Sequence, residues 1–256
     1  MRKLIVNADD FGFTRDVNAG IIHAHREGIL TATTLMANGD AYEDAVRLAL
    51  ENRSLDVGCH LVLVQGNSLV TGRPLPEKPG QLLMALSRRE IDVEGELRAQ
   101  IRKIMASGVR PTHLDSHKHT HIVPTVFRTV VRLAHEFGIP HVRLPLDATV
   151  PCSGPVCHLL GRFYRRSTTR FGVRTTDYFV GFRLTGTLTE ATLAPALASL
   201  REGTTEFMCH PGYLGGELRG AATRLKESRV RELEALTSPR IRQIIEEQGI
   251  TLAGYR

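Results

Sequence analysis

The residues of this sequence with the clearest capacity for chemistry are four histidines within nine positions, in the stretch Thr112-His-Leu-Asp-Ser-His-Lys-His-Thr-His121. Side chains along a β-strand alternate between its two faces, so His113, Asp115 and His117 would point to the same side. Several imidazoles beside a carboxylate are an ordinary means of holding a divalent metal ion. The stretch therefore predicts a metal site at or just after a strand.

Two adjacent carboxylates, Asp9 and Asp10, follow the first apolar run of the chain. They could form a turn into a helix, because Asp starts loops and caps helices. Alternatively, a cation would relieve the repulsion between them, and the carboxylate that does not bind the cation would stay free as a base. The pair alone does not decide between these two interpretations.

Two further histidines occur near predicted strand ends. His60 lies within a later β-prone run, and His210 precedes a Pro-Gly turn in Met208-Cys-His-Pro-Gly-Tyr213. A metal with one Asp and two His ligands keeps positions for a water, lowers the pKa of that water and polarises a carbonyl. A nearby carboxylate can take the proton from the water, and an imidazole can protonate a departing amine. Such a set is typical of amide or ester hydrolysis.

The elements that must position these residues alternate between short β-prone runs and longer amphipathic stretches. We predict strands at residues 3–8, 31–37, 55–64, 112–117, 141–144, 177–182, 206–210 and 250–253. We predict helices at residues 17–28, with Thr14 as N-cap, and at 42–51, 93–106, 125–137, 189–200, 224–236 and 239–247. The repeated order of strand and helix predicts an α/β fold with a parallel sheet, and the number of units favours one domain, a distorted (β/α) barrel. The carboxyl ends of the strands meet on one face of such a barrel, where residues far apart in the chain become neighbours.

One segment of the predicted single domain (residues 1–256) departs from this pattern, at about residues 147–176. It contains Pro, Gly, Cys and Arg without clear periodicity, which predicts an irregular basic insert that acts as a lid or an oligomer contact. The arginines between Arg162 and Arg174 have no acidic residue among them. They form either a solvated surface or a contact for an anionic or lipid-linked partner. A homodimer through this segment is a further expectation.

The overall composition excludes several classes of protein. Hydrophobic residues make up 42% of the 256 residues and charged residues 23%, which is ordinary for a globular chain and excludes intrinsic disorder. No apolar run is long enough to predict a membrane span, and the first residues do not resemble a signal peptide, so we expect a cytoplasmic protein. The net charge is +6, but no nucleic-acid-binding motif is present, so we expect no nucleic-acid partner.

Four ordered motifs resemble the YdjC-like carbohydrate deacetylases, a family that includes chitooligosaccharide deacetylase and the hopanoid-biosynthesis deacetylase. The motifs are Val6-Asn-Ala-Asp-Asp-Phe-Gly12, Val57-Gly-Cys-His-Leu61, the histidine-rich stretch from Thr112 to His121, and His210-Pro-Gly-Tyr213. The resemblance implies a distorted (β/α) barrel and a divalent metal held by an Asp-His-His set. It also implies removal of an acetyl group from an N-acetylated amino sugar.

The resemblance also assigns roles to particular residues, and it implies three metal ligands: Asp10, His60 and His117. Asp9 would be the general base and His210 the general acid. Arg143 resembles the arginine that orients the base in related barrels, and Arg143 and Tyr213 are candidates for substrate binding. The family implies Mg²⁺, whereas two imidazoles and a carboxylate chemically suit Zn²⁺ or Mn²⁺.

We therefore predict a metal-dependent hydrolase that deacetylates an N-acetylated amino sugar in a small oligosaccharide or a glycolipid head group. The aromatic content of 5% and the absence of Trp favour a short acceptor over a polymer. One alternative is a metal-dependent phosphoesterase or another barrel amidohydrolase, in which further histidines hold additional metals. A second alternative is a non-catalytic binding module for an anionic partner. A lipid-linked substrate would add a contact with a membrane surface.

Overall fold

A parallel β-sheet forms the centre of the structure, a computed structural model that describes residues 1–144, 146–147 and 155–256, without the side chains of residues 155–158. Its strands are β1 (Arg2–Phe11), β2 (Ala32–Leu35), β3 (Asp56–Leu61), β4 (His113–Ser116), β5 (His141–Val142), β6 (Tyr178–Val180), β7 (Gly203–Cys209) and β8 (Ile250–Leu252). Strands β2, β3 and β4, and most of β1 and β7, are buried on both faces, as expected for a parallel sheet that is covered by helices.

The strands follow the order β5-β4-β3-β2-β1-β7-β6, and every pair is parallel. β8 pairs with the first residues of β1, before the register with β2 begins. Two isolated bridges join the opposite edges of the sheet, between His141 and Arg174 and between Asp147 and Phe179. The sheet is thus curled into an incompletely paired barrel. The prediction of a single-domain α/β protein with a distorted (β/α) barrel is confirmed.

The helices cover the outside of the sheet. They are α1 (Arg15–Glu27), α2 (Tyr42–Glu51), α3 (Pro79–Ser87), α4 (Val93–Ala106), α5 (Pro124–Glu136), α6 (Pro155–Phe171), α7 (Glu190–Ala198), α8 (Gly216–Gly220), α9 (Glu227–Thr237) and α10 (Pro239–Glu247). The hydroxyl of Thr14 accepts a hydrogen bond from the backbone N–H of Val17 at 3.2 Å, which confirms Thr14 as the N-cap of α1. No helix in the described part of the chain is both long enough and apolar enough to cross a bilayer.

β1 extends past its expected end at Ala8, through Asp9 and Asp10 to Phe11. Its register with β2 shifts between Ala8 and Phe11, and Asp10 has a φ of +70°. In a regular strand, the side chains of Asp9 and Asp10 would point to opposite faces. The bulge changes this alternation, so that both carboxylates line the same pocket.

The expectation of an irregular segment at 147–176 is wrong for residues 155–171, which form α6. The apolar periodicity of this helix is weak, because polar residues share its buried side with Leu160, Phe163 and Tyr164. The buried hydroxyls of Ser167 and Thr168 donate hydrogen bonds to carbonyls of their own helix, those of Phe163 and Arg165. Residues 148–154 of the predicted insert lie outside the described residues.

Close packing of α1 against the turn that follows β7 requires Gly20. A Cβ on Gly20 would lie 2.5 Å from the Cα of Gly212, nearer than van der Waals contact allows. We expect Gly20→Ala to displace this turn and to lower the free energy of unfolding by roughly 1–3 kcal/mol, measured by urea unfolding. Gly80→Ala on α3 is the matched control, because no atom lies within 4 Å of an added Cβ there. Equal losses in both variants would contradict this explanation.

Candidate metal centre and active site

The carboxyl ends of the strands surround a pocket of 540 Å³. Side chains from four different strand ends line it: Asp9 and Asp10 from β1, His60 from β3, His117 and His119 after β4, and His210 after β7. Both carboxylates and three of these imidazoles are among the residues that the sequence singled out. The barrel therefore brings together residues from opposite ends of the chain at one opening.

Three ligand atoms face one another in this pocket. His117 Nδ1 lies 3.0 Å from Asp10 Oδ1, His60 Nε2 lies 3.4 Å from the same oxygen, and the two ring nitrogens are 3.3 Å apart. Three atoms with this spacing can all lie about 2.0–2.2 Å from a single ion, which is the usual metal–ligand distance for nitrogen and oxygen donors. The predicted set of Asp10, His60 and His117 therefore fits a divalent metal in geometry and in donor chemistry.

Each imidazole has a hydrogen bond at the ring nitrogen that faces away from the ligand set, and this bond favours the tautomer that metal binding needs. His60 Nδ1–H donates to Asp115 Oδ1 at 2.7 Å, which leaves Nε2 for a metal. His117 Nε2–H donates to Gln65 Oε1 at 3.0 Å, which leaves Nδ1 for the same ion. Asp115 also accepts a hydrogen bond from the Thr34 hydroxyl at 3.0 Å. Such outer partners orient metal ligands and set their tautomer.

The site carries an excess of negative charge. Burial disfavours a charged His60, but Asp115, Asp10 and Asp9 outweigh burial and raise the pKa of His60 to about 10. Burial also opposes ionisation of Asp10, yet Arg229 and the two imidazoles hold the pKa of Asp10 well below its usual range. A buried, ionised set of this kind is stabilised by a bound cation.

Asp9 differs from the three proposed ligands in that both of its carboxylate oxygens are bound by Arg143. Arg143 Nη1 and Nη2 donate to the two oxygens of Asp9 at 2.9 and 2.7 Å, and Arg143 Nε donates to Glu206 at 2.6 Å. Arg143 Nη1 also pairs with Asp115 at 2.8 Å. Burial opposes ionisation of Asp9, but the guanidinium outweighs it and keeps the pKa of Asp9 far below its usual range. Asp9 is thus held as a carboxylate at the pocket wall.

Neither Arg143 nor Tyr213, the two candidates for substrate binding, lines the pocket. The Arg143 side chain is fully buried behind Asp9, which matches the position of a residue that orients the base. The Tyr213 hydroxyl is hydrogen-bonded to His23 Nδ1 at 2.8 Å, and the Tyr213 N–H donates to the carbonyl of Asp16 on α1. These bonds direct Tyr213 to a different surface depression, so the structure does not bring it to the pocket.

The other histidines of the 112–121 stretch divide between the core and the pocket. His113 stacks on Tyr255 with ring centroids 3.8 Å apart and hydrogen-bonds to Asn7 at 2.9 Å. His121 is buried and hydrogen-bonded to Ser116. His119 lines the pocket, where Phe182 packs against it. The structure therefore does not bring His113 and His121 to the metal ligands.

The sequence analysis missed several residues of the site, among them Gln65, Arg229 and Glu232. Arg229 donates to Asp10 Oδ2, and Glu232 accepts the backbone N–H of His210 at 2.5 Å. Both lie on α9, far from the strand ends in sequence. The available signal was a pair of opposite charges three positions apart on the apolar side of a predicted helix, where both are now found to be only 1% exposed.

A carboxylate and two imidazoles meet at a pocket at the carboxyl end of a parallel α/β barrel, which is the end where such barrels carry their active sites. A family described as YdjC-like protein matches residues 3–247. The chain therefore belongs to the YdjC-like family, and the prediction of an enzyme of this family is confirmed.

Individual relatives cover nearly the whole chain. The carbohydrate deacetylase of Brevibacillus brevis is 35% identical over 259 residues, which cover 99% of this chain and 98% of the relative. The carbohydrate deacetylase of Geobacillus stearothermophilus is 35% identical over 260 residues, with 100% and 97% coverage. A crystal structure from Enterococcus faecalis, described as a candidate cellobiose-phosphate cleavage protein, is 28% identical with a TM-score of 0.81 and covers 99% of this chain and 97% of its own.

We expect metal binding at this site to weaken as the pH falls, because an ion must displace the proton from His60. With the pKa of His60 raised to about 10, that proton is present at neutral pH. Displacing one proton makes the affinity rise about tenfold for each pH unit below this pKa. Calorimetry with Zn²⁺ in buffers of different ionisation enthalpy measures the number of protons released. Release of no protons between pH 7 and pH 8 would contradict the expectation.

Proposed function

We propose that the protein is a metal-dependent N-deacetylase that acts on an N-acetylated amino sugar, in a small oligosaccharide or a glycolipid head group. The observation that carries the proposal is the meeting of Asp10, His60 and His117 at one open pocket that Asp9 and His210 also line. Relatives named carbohydrate deacetylase support a sugar as the substrate.

A divalent cation at Asp10, His60 and His117 would polarise the acetyl carbonyl and make a water more acidic. Asp9 accepts the proton of the attacking water, because Arg143 keeps it ionised and fixes both of its oxygens. His210 then donates a proton to the departing amine. Burial lowers the pKa of His210 to about 4, so the resting imidazole is neutral. The proton that His210 passes to the amine is therefore the one that Asp9 takes from the water, which returns Asp9 to its ionised form.

The proposal includes three candidates for the divalent metal. The donor set suits Zn²⁺ or Mn²⁺ by ligand chemistry, and the family resemblance implies Mg²⁺. One ion per chain is expected, because the two groups of possible ligands in the described part of the chain share His60. A phosphoesterase with two or three metals would need further ligands. Of the other histidines of the 112–121 stretch, His119 lines the pocket, whereas His113 and His121 are buried in the core.

The direct test is acetate release from N-acetylglucosamine oligomers and N-acetylglucosaminyl lipids, after chelation and after return of Zn²⁺, Mn²⁺ or Mg²⁺. We expect Asp10→Ala to weaken metal binding. Asp9→Asn should retain the metal and lower turnover by roughly 10²–10⁴-fold, the usual contribution of a general base. Elemental analysis gives the metal content of each variant.

Several outcomes of this experiment would argue against the proposal. Release of phosphate from sugar phosphates, with two or more metals per chain, would favour the phosphoesterase. If the metal-loaded wild type releases no acetate from any of these substrates, the result would favour the non-catalytic binding module. Full activity of Asp9→Asn would show that the assignment of base and ligand is wrong.

The lipid-linked form of the substrate is supported by the exposed face of α6. This face carries Arg162, Arg165, Arg166 and Arg170, and Leu159 is 69% exposed beside them. No acidic residue occurs between Asp147 and Asp177 to neutralise the arginines. The Tyr164 hydroxyl donates to the carbonyl of Ile122 at 2.5 Å, which places α6 beside the turn that carries His117. The α6 face thus suits an anionic bilayer next to the pocket.

We expect the protein to co-sediment with phosphatidylglycerol vesicles and not with phosphatidylcholine vesicles. The double variant Arg165→Glu and Arg166→Glu should reduce this binding more than tenfold, because each basic residue near an anionic surface contributes about 1 kcal/mol. Deacetylation of a water-soluble oligosaccharide should stay unchanged. The double variant Arg240→Glu and Arg242→Glu on α10 makes the same charge change elsewhere, and an equal loss of binding in it would refute the α6 assignment.

Two further expectations stay predictions. One is a homodimer through the segment at 147–176, which sedimentation equilibrium measures. The other is a cytoplasmic location, which fractionation of the source cells measures.

A further inference from the structure

Helix α9 buries two opposite charges against the proposed active site. Arg229 and Glu232 lie three positions apart, so their side chains share one face of the helix. Both are only 1% exposed, and burying a charge is unfavourable unless it is paired or hydrogen-bonded. The groups that Arg229 and Glu232 contact therefore indicate the role of α9.

Arg229 contacts one oxygen of the proposed metal ligand Asp10. Arg229 Nη2 donates to Asp10 Oδ2, while Arg229 Nε donates to the carbonyl of Leu225 at 3.2 Å. The other carboxylate oxygen, Asp10 Oδ1, is the atom that faces His60 and His117. Arg229 therefore occupies the oxygen that would otherwise also be free to bind an ion. Arg229 Nη1 is buried without a partner among the described residues, at the wall of the pocket.

Glu232 contacts the segment that carries the proposed acid. Glu232 Oε2 accepts the backbone N–H of His210 at 2.5 Å and lies 4.0 Å from His210 Nδ1. Glu232 Oε1 accepts the N–H of Gly186 at 3.3 Å. The N–H of Gly212 also donates to the carbonyl of Arg229 at 3.2 Å, so α9 holds this turn at two points.

We infer that α9 positions both ends of the catalytic set, with Arg229 restricting Asp10 to a single metal-facing oxygen and Glu232 fixing the place and charge environment of His210. Neither residue touches the reacting atoms, so both are positioning residues. The inference rests on the proposed function for the roles of Asp10 and His210. It goes beyond that function because it says that a single helix, α9, determines both how Asp10 binds the metal and where His210 lies.

The proposed effect of Arg229 on Asp10 is tested with the Co²⁺-loaded protein, because the visible absorption of bound Co²⁺ depends on its coordination number. In Arg229→Met, Asp10 Oδ2 becomes free to bind, so we expect weaker visible absorption from a higher coordination number, together with at least tenfold lower kcat. Arg229→Lys keeps a cation at Oδ2 and should restore most of the wild-type spectrum. Arg231→Met, an exposed position on the same helix, is the control and should change neither.

The Glu232 half is tested by the pH profile of kcat. Glu232→Gln can still accept the His210 N–H but removes the charge near Nδ1, so the profile should shift while KM and the Co²⁺ spectrum stay unchanged. The other charged groups facing His210 are Asp9, Asp10, His60 and Arg229, and this variant leaves them in place. Glu234→Gln, exposed on α9, is the control.

A merely structural role for α9 predicts another pattern, in which both variants lose stability, metal binding and kcat in parallel. That pattern, or a wild-type Co²⁺ spectrum in Arg229→Met, would overturn the inference. Loss of the spectrum in Arg229→Lys would overturn it as well. The Co²⁺ measurement uses no substrate, so its result stands even if no acetylated sugar is hydrolysed and the proposed function fails.

Discussion

Two carboxylates that are adjacent in sequence, Asp9 and Asp10, are both buried in this structure. Two buried, ionised groups are stable only if cations and hydrogen-bond donors face each of them. Arg143 satisfies Asp9, whereas Arg229, His60 and His117 satisfy Asp10. The two carboxylates thereby acquire different surroundings, which is the basis of the separate roles proposed for them, metal ligand for Asp10 and general base for Asp9.

The opposite charges around this pair come from widely separated parts of the chain. Arg143 follows β5, His60 lies on β3, and Arg229 lies on α9. No local stretch of sequence could supply this arrangement, because each group must be desolvated and must face the same point. A parallel barrel provides it, since all its strands end on one side. The arrangement of charges in the pocket therefore depends on the packing of the strands that carry them.

The sequence predicted most of the fold because strand and helix periodicities are local and strong. The Asp-His-His set was also predicted, and so was the helix that begins after Thr14. The bulge at Asp10 was not predictable, since a φ of +70° in a non-glycine residue is determined by tertiary contacts. The helix α6 was missed because Ser167 and Thr168 interrupt the apolar residues on its buried side, and burial of their hydroxyls is possible only through hydrogen bonds to carbonyls of the helix itself.

The strand that carries Asp9 and Asp10 is the first of the chain, yet two of its three partners, β7 and β8, come near the other end of the sequence. Contacts between such distant segments form slowly, because a long loop must close before any pairing is gained. During synthesis on the ribosome, β1 therefore emerges with an apolar edge that stays unpaired until almost all of the polypeptide has been made. Truncation before β7 would leave β1 paired on one side only, with β2 at Asn7, Ala8 and Phe11, so the carboxylate pair would lie on an exposed edge strand.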